Sequence, residues 1–458
     1  MKRWIGWVAL AGLVACSGDE KDTDGIVPLD SDADTDSDAD SDADTDGDTD
    51  SDTDTDPPPT GLCTPLQVAA GTRLGAGNSL AQAVENASPG DVLELAAGDY
   101  IVGDTIPIDK ALTIVSVDKD PSVVTIDMGY NGGNLFDITA SDVTIAHVTL
   151  KNTGRDAVTV TARTENLTGF RLHDIVVEDP GANAVVIQGQ SPDDDVWYGI
   201  DDSEISCNSF LLSDQGRDDL AAVCGTGVIL ADGIRDVVIR DNRTEGFWCA
   251  GGISNPVPNI VVKSGSRDVE ITRNNVLDAR LGIQVGDTPA LDIRDYDDDD
   301  TDCGPEAVQT YRVVVTNNIV AAEDEGLRSY VRAGIELNDA CESQILHNSL
   351  YAHPTSVASE VVDAGLFLIG ERTTGNATNN LISGGIVRPG ALAPIVRGTN
   401  IEGAASDSWF YPFQLDFHTS PGATDAIDQG DTGFEAVVPI DIDGDMRDAT
   451  PDIGADEI

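Results

Sequence analysis

Residues 79–87 carry a helical period: Ser79 and Gln82 have capping-box spacing, and Leu80, Ala83, Val84 and Ala87 fall on one face. Ser88-Pro89-Gly90 ends this short helix, and no second comparable helix is expected after it. Short β-rich runs follow at 92–95, 112–115, 123–126, 143–145 and 158–160, each closed by a turn. Beyond residue 220 the runs fall into two interleaved series. One opens with glycine: Gly227-Val-Ile-Leu, Gly252-Ile-Ser, Gly282-Ile-Gln-Val, Gly334-Ile-Glu-Leu and Gly365-Leu-Phe-Leu. The other ends in asparagine, at Asn242, Asn275, Asn318, Asn348 and Asn380. Series that recur in this way predict a solenoid, because a β-sandwich gives no reason for one glycine row and one asparagine row. Equivalent residues then stack about 4.8 Å apart, and asparagines can form amide ladders along the axis. Alternation points Val228, Leu230, Ile283, Val285, Ile335 and Leu337 inward, leaving Ile229, Ser254, Gln284, Glu336 and Phe367 facing solvent.

With the helix as an N-terminal cap, residues 89–100 (Pro-Gly-Asp-Val-Leu-Glu-Leu-Ala-Ala-Gly-Asp-Tyr) look like the first coil of the pectin-lyase-like proteins. The resemblance implies an all-β, right-handed parallel β-helix over about 61–400, with a capping segment at 401–458. In that segment, Asp441-Ile-Asp-Gly-Asp-Met-Arg447 followed by 451–457 resembles the closing motif of bacterial surface β-helix proteins.

The charge balance changes the picture. Of 458 residues 82 are acidic and 26 basic, giving −56, which excludes nucleic acid as a partner. From Asp30 to Asp56 every second residue is aspartate, with only Ser, Ala, Thr and Gly between. Such a run has nothing apolar to bury and repels itself, so residues 16–60 are expected to form a disordered tether. Before it, Lys2-Arg3 and an apolar stretch to Ala15 predict a signal peptide over 1–15. Leu13-Val14-Ala15-Cys16 resembles the lipobox of bacterial lipoproteins, which implies a lipidated Cys16. Ser17 after it points, on the same resemblance, to the outer membrane and a cell-surface address.

Six further cysteines in an exported chain suggest disulfides. Cys224 and Cys249 each precede a series glycine by three residues and are expected to stack, while Cys303 and Cys341 precede successive asparagine strands. Cys207–Cys224 is the competing pairing, and Cys63 has no assigned partner. No CxxC or neighbouring histidine pattern supports zinc.

The candidate chemistry is incomplete. Asp201-Asp202 is a paired carboxylate without the partners that the family's hydrolases carry. Lys263-Ser264 resembles the Lys-Ser dipeptide of the alginate lyase and chondroitinase B group, which implies Lys263 as a base. One coil later Gln284 stands where that group has arginine, and the group's histidine is absent too. Asp287 and Asp339 each lie five residues after a series glycine and are expected to stack, with Ca²⁺, Arg328 or Arg332 between them. Asp441, Asp443 and Asp445 alternate like a Ca²⁺ loop but lack the rest of an EF-hand, which favours Arg447 pairing with a carboxylate. Asp297–Asp300 with Asp302 read as a solvated insertion, and His347, Tyr351 and His353 cluster near a turn.

The expected protein is a monomeric, lipid-anchored surface β-helix that binds extracellular polysaccharide or a surface partner without catalysis, through Gln284, Glu336, Arg328 and Arg332. Two alternatives stand beside it: a calcium-assisted polysaccharide lyase using Lys263, and a structural envelope or adhesin protein.

Overall fold

A computed structural model describes residues 62–193, 196–220, 227–248, 257–288, 293, 294, 296, 303, 308–322, 324, 327, 331–352, 364–388, 395–411 and 416–458. Cys16, Cys224, Cys249, Ser254, Arg328, His353 and the acidic runs at 30–56 and 297–302 lie outside them.

Among the described residues, successive coils contribute short strands to three parallel sheets, and three coils enter sheet 1 through two strands. Ser266–Thr272 lies in sheet 1 (15 strands), Asn275–Leu277 in sheet 2 (11 strands) and Leu281–Gly286 in sheet 3 (10 strands); the next coil repeats the order. The pairing is in register, so like stacks on like. Ile205, Ile239, Ile271, Val315 and Ile345 form one inward column of sheet 1, and Ile229, Ile260, Ile283, Ile335 and Leu366 one of sheet 3. All ten are fully buried. This is the expected parallel β-helix. Its first coil is covered by α1 (Leu80–Asn86), where Ser79 accepts from the Gln82 amide and Leu80 and Val84 are buried.

A second helix, α2 (Asp214–Leu220), corrects the expectation of only one. Its start is fixed by polar contacts: Gly216 N donates to Ser213 Oγ, and Asp179 accepts from both Ser213 N and Ser213 Oγ. Its sequence shows no helical apolar stripe, so the periodicity that exposed α1 was missing.

The glycine series holds for three coils and slips on the fourth. At Gly282 a Cβ would lie 2.3 Å from Val320 and 2.6 Å from the Gly334 carbonyl, and at Gly365 one would lie 2.0 Å from Ile382. Sheet 2 side chains fill the space at this corner. Ile229, however, pairs with Ile260 and through it with Ile283, so Val228 rather than Gly227 holds the Gly282 position. Ile229 therefore points inward and Leu230 outward, the reverse of expectation. A one-residue slip exchanges the faces of a strand.

Between sheets 1 and 2 eight successive coils each turn through one left-handed residue: His147, Asp174, Cys207, Asp241, Arg273, Asn317, His347 and Asn379, with φ from 49° to 61°. From Cys207 onward the next residue is an inward asparagine. Asn208, Asn242, Asn274, Asn318, Asn348, Asn380 and Asn400 form a ladder in which each Nδ2 donates to the next Oδ1 at 2.9–3.0 Å. Asn274, rather than the expected Asn275, is the member. Each also satisfies backbone: Asn318 Nδ2 donates to the Ile271 and Thr316 carbonyls, and its Oδ1 accepts from Asn274 N.

Both ends of the described chain lie along this column of turns. Cys63 is bonded to Cys207 (Cα–Cα 5.7 Å), Thr64 O accepts from His173, and Gln67 accepts from Lys119 before the first strand, Thr72–Leu74, begins. From the other side, Arg447 donates to Asn317 and Gly454 N donates to Asn379 O. Cys303–Cys341 is bonded as expected (Cα–Cα 6.1 Å). The Cys207–Cys224 alternative is corrected, since the turn holding Cys207 faces the N-terminal strap that carries Cys63.

Asn318→Ala removes amides that satisfy two neighbouring coils. It is expected to cost about 2–4 kcal/mol in urea denaturation, whereas the outward Thr113→Ala changes stability by less than about 0.5 kcal/mol. Cys63→Ser opens a loop of 144 residues and Cys303→Ser one of 38. Chain entropy predicts losses of about 5 and about 4 kcal/mol, so the first variant should unfold at lower urea than the second.

Candidate functional site

Of the polar residues singled out in the sequence, Lys263, Gln284, Asp287, Arg332 and Glu336 fall on the outer face of sheet 3 or at its edge. Asp232 and Lys263 are register partners on adjacent coils, and Lys263 Nζ lies 3.8 Å from Asp287 Oδ2. Ser264 Oγ donates to Asp232 Oδ1 at 3.3 Å. Burial pushes the Asp232 carboxyl up, opposed by Lys263 and reinforced by Asp287. Asp232 is the member that sequence reasoning missed; the signal was its place in register with Lys263, hidden by the one-residue slip on its coil.

The neighbouring outward column runs Leu230, Val261, Gln284, Glu336 and Phe367. Gln284 and Glu336 do not face solvent as expected: they are 9% and 3% exposed. Gln284 Nε2 donates to the Gly286 carbonyl, so its amide is spent within its own strand. Glu336 pairs with Arg332, the residue just before its strand Ala333–Asn338, at 2.7 Å. Burial raises its carboxyl and Arg332 opposes the rise. The Arg332 guanidinium also lies 5.4 Å from the Phe367 ring centroid.

Asp287 and Asp339 are met by different basic side chains. Gly286 (φ 79°) turns Asp287 toward Lys263, whereas Asp339, itself left-handed at φ 57°, is buried and held by Arg372 at 2.6 Å and by Gln309 N. Asp201-Asp202 is not a working pair. Asp201 is buried between Arg294 (2.6 and 3.0 Å) and Arg235 (3.1 Å), while Asp202, left-handed within the strand Ile200–Ser206, is exposed. Arg294 also lies 4.7 Å from the Tyr296 ring centre, so these contacts fasten Arg294 to sheet 1.

At the C-terminal segment, Asp441 Oδ1 accepts from the amides of Asp443 and Asp445, and its Oδ2 accepts from Glu457 N. Carboxylate oxygens of Asp441, Asp443 and Asp456 lie within 4.8 Å of one another. That oxygen-only set has the chemistry a hard cation takes. Asp456 replaces the expected Asp445, and its proximity was invisible because the chain returns from residue 441 to 456 through a loop. Burial pushes Asp456 up to about 7, with His418 opposing and the two other aspartates adding to the rise. Arg447 pairs with Glu457 at 2.9 Å, as its sequence position suggested.

His347 and Tyr351 serve packing. Tyr351 lies 5.0 Å from Trp409 and 5.2 Å from Phe417, ring centre to ring centre. Asn379 Nδ2 donates to His347 Nε2 (3.0 Å), which leaves Nδ1 to donate to the Asp452 carbonyl (3.1 Å). Burial, with Arg447 adding to it, pushes this imidazole down to about 3.

No family model and no curated protein matches the chain. Among solved structures it is similar to the pectate lyase Pel9A, at TM-score 0.46 and 11% identity over 85% of this chain and 97% of that one. It is also similar to an alginate lyase from Paenibacillus sp. str. FPU-7, at TM-score 0.39 and 13% identity over 72% and 99%. A third is endopolygalacturonase I from Stereum purpureum, complexed with two galacturonates, at TM-score 0.37 and 12% identity over 72% and 100%. The parallel β-helix itself rests on the strand register described above.

The two buried C-terminal groups oppose each other in pH. The unfolded chain takes up a proton on histidine below about pH 6.5 that folded His347 refuses until about pH 3. Its contribution is therefore intact above the first value and lost as pH falls through the window. Asp456 contributes below the usual carboxylate range and loses its contribution as pH rises through about 7. His347→Asn is expected to lose less stability than the parent on acidification from pH 6.5 to 4.5, by about 1.4 kcal/mol per pH unit in urea denaturation.

Proposed function

We propose that this protein is a surface lipoprotein, anchored in the outer membrane through Cys16, whose β-helix binds extracellular polysaccharide without cleaving it. One observation supports the non-catalytic reading above the others: two cations at the outer face of sheet 3 beside Gln284 and Glu336, Lys263 and Arg332, are each matched by a carboxylate. Lys263 lies against Asp287, and Arg332 is bound to Glu336. Proton abstraction next to a uronate carboxylate needs a base and a separate positive group to neutralise the acid. Gln284, which occupies the place of that group, is buried and engaged with its own strand.

The runner-up, a calcium-assisted lyase, is favoured by one feature. Lys263 retains 27% side-chain exposure and stands in register with Asp232, whose carboxyl is pushed up by burial, so an amine and a second polar group face one spot on the sheet. Ca²⁺ at Asp441, Asp443 and Asp456 would bear on the C-terminal segment instead, since these residues are not among those around Lys263.

Incubation of the full chain with alginate, pectate and chondroitin plus Ca²⁺ is expected to give no absorbance from unsaturated product. A signal abolished by Lys263→Ala would replace binding with β-elimination. Affinity electrophoresis in gels containing neutral and acidic polysaccharides is expected to retard the protein in at least one neutral gel.

A further inference from the structure

With the outer column of sheet 3 covered at Gln284 and Glu336, a polymer needs another surface. Sheet 1 offers one. Its outward residues Glu270, Val314, Gln344 and Asn376 stand in register on four successive coils, and Val396 continues the row at 64% exposure. The C-terminal segment rises beside this row and presents Val437, 42% exposed, forming one wall of a groove of about 600 Å³. The opposite wall is built by left-handed corner residues, Asp268, Arg312 and Glu342, with φ of 50–54°.

We propose that this groove binds a single strand of neutral, hydroxyl-rich polysaccharide running along the solenoid axis. The inference rests on the polysaccharide reading above and assigns its site and ligand class. The charge pattern selects the occupant. Asp268 is neutralised by Arg312 through two hydrogen bonds of 2.5 and 2.6 Å, so Glu270 and Glu342 set the net sign of the groove as negative. A polyuronate would bring further negative charge into it and find its one lining cation already engaged. A neutral sugar meets matching chemistry: carboxylates accept hydrogen bonds from its hydroxyls, and the Gln344 and Asn376 amides both donate and accept. The apolar faces of sugar rings meet Val314, Val396 and Val437. The coils repeat about every 4.8 Å, so each step along the axis places one more outward side chain against the next part of a linear polymer. A groove of this volume lies in the ordinary range for ligand sites of about 300–1,000 Å³.

The test is titration of the full chain with gluco-, manno- and xylo-hexaoses and with an alginate hexamer, followed by isothermal calorimetry. At least one neutral hexaose is expected to bind, with the alginate hexamer at least tenfold weaker. Gln344→Ala combined with Asn376→Ala, and separately Val437→Asp, should each raise the Kd at least tenfold. Thr113→Ala, on the same face outside the groove, should leave it unchanged. Binding that survives both groove variants overturns the site while leaving the polysaccharide reading intact, and preference for the alginate hexamer overturns the ligand class. Absence of binding to all hexaoses and to the polysaccharide gels removes the reading itself. A dimer seen by light scattering and dissolved by Val437→Asp would show that a second copy occupies this face, and would overturn the proposal.

Discussion

A side-chain amide removed from water must find partners for its oxygen and both its hydrogens, and in this chain the partner is supplied by the coil above and the coil below. Asn242, Asn274 and Asn318 each meet that demand only if successive turns keep one register and one left-handed corner. Their stacking therefore constrains where each strand of sheet 1 ends and each strand of sheet 2 begins. The aliphatic columns provide most of the apolar burial, yet they tolerate sliding in a way that a chain of hydrogen-bonded amides does not. Lower coils lack the ladder and place Val148 and Ile175 at the same inward position. Register there rests on packing and on turns such as His147, whose ring is held by Asp174 at 2.6 Å.

Much of this architecture was legible because its repeat is written in residue types with narrow uses. Asparagine after a strand and glycine before one recur for steric and hydrogen-bonding reasons, and both series marked real columns. The failure came where two glycines looked alike for different causes. Gly282 is small because Val320 and the Gly334 carbonyl crowd it, while Gly227 is crowded by the Pro258 carbonyl and Asn183. Aligning the two shifted Ile229 to the wrong face and concealed Asp232.

The polar surface was less legible, since a one-dimensional reading finds which side chains leave the barrel but not what then covers them. Gln284 and Glu336 do point away from the core, yet both are buried, and Arg332 reaches across to one of them. Asp441 and Asp456 approach each other through a loop that no periodicity describes. The row on sheet 1 was visible in the same segments as the asparagines, but its varied chemistry, from Glu270 through Val314 to Asn376, has no repeat to draw attention.

The bond between Cys63 and Cys207 also settles how a pull on the N-terminus would travel. Tension entering at residue 62 passes through the sulfur bridge into the middle of the stack and leaves the first strand, the capping helix and the coils below Cys207 slack. The earliest coils, capped by one short helix in place of a further coil, are thereby sheltered from mechanical load. A lever attached partway along the rod replaces a zipper attached at its end.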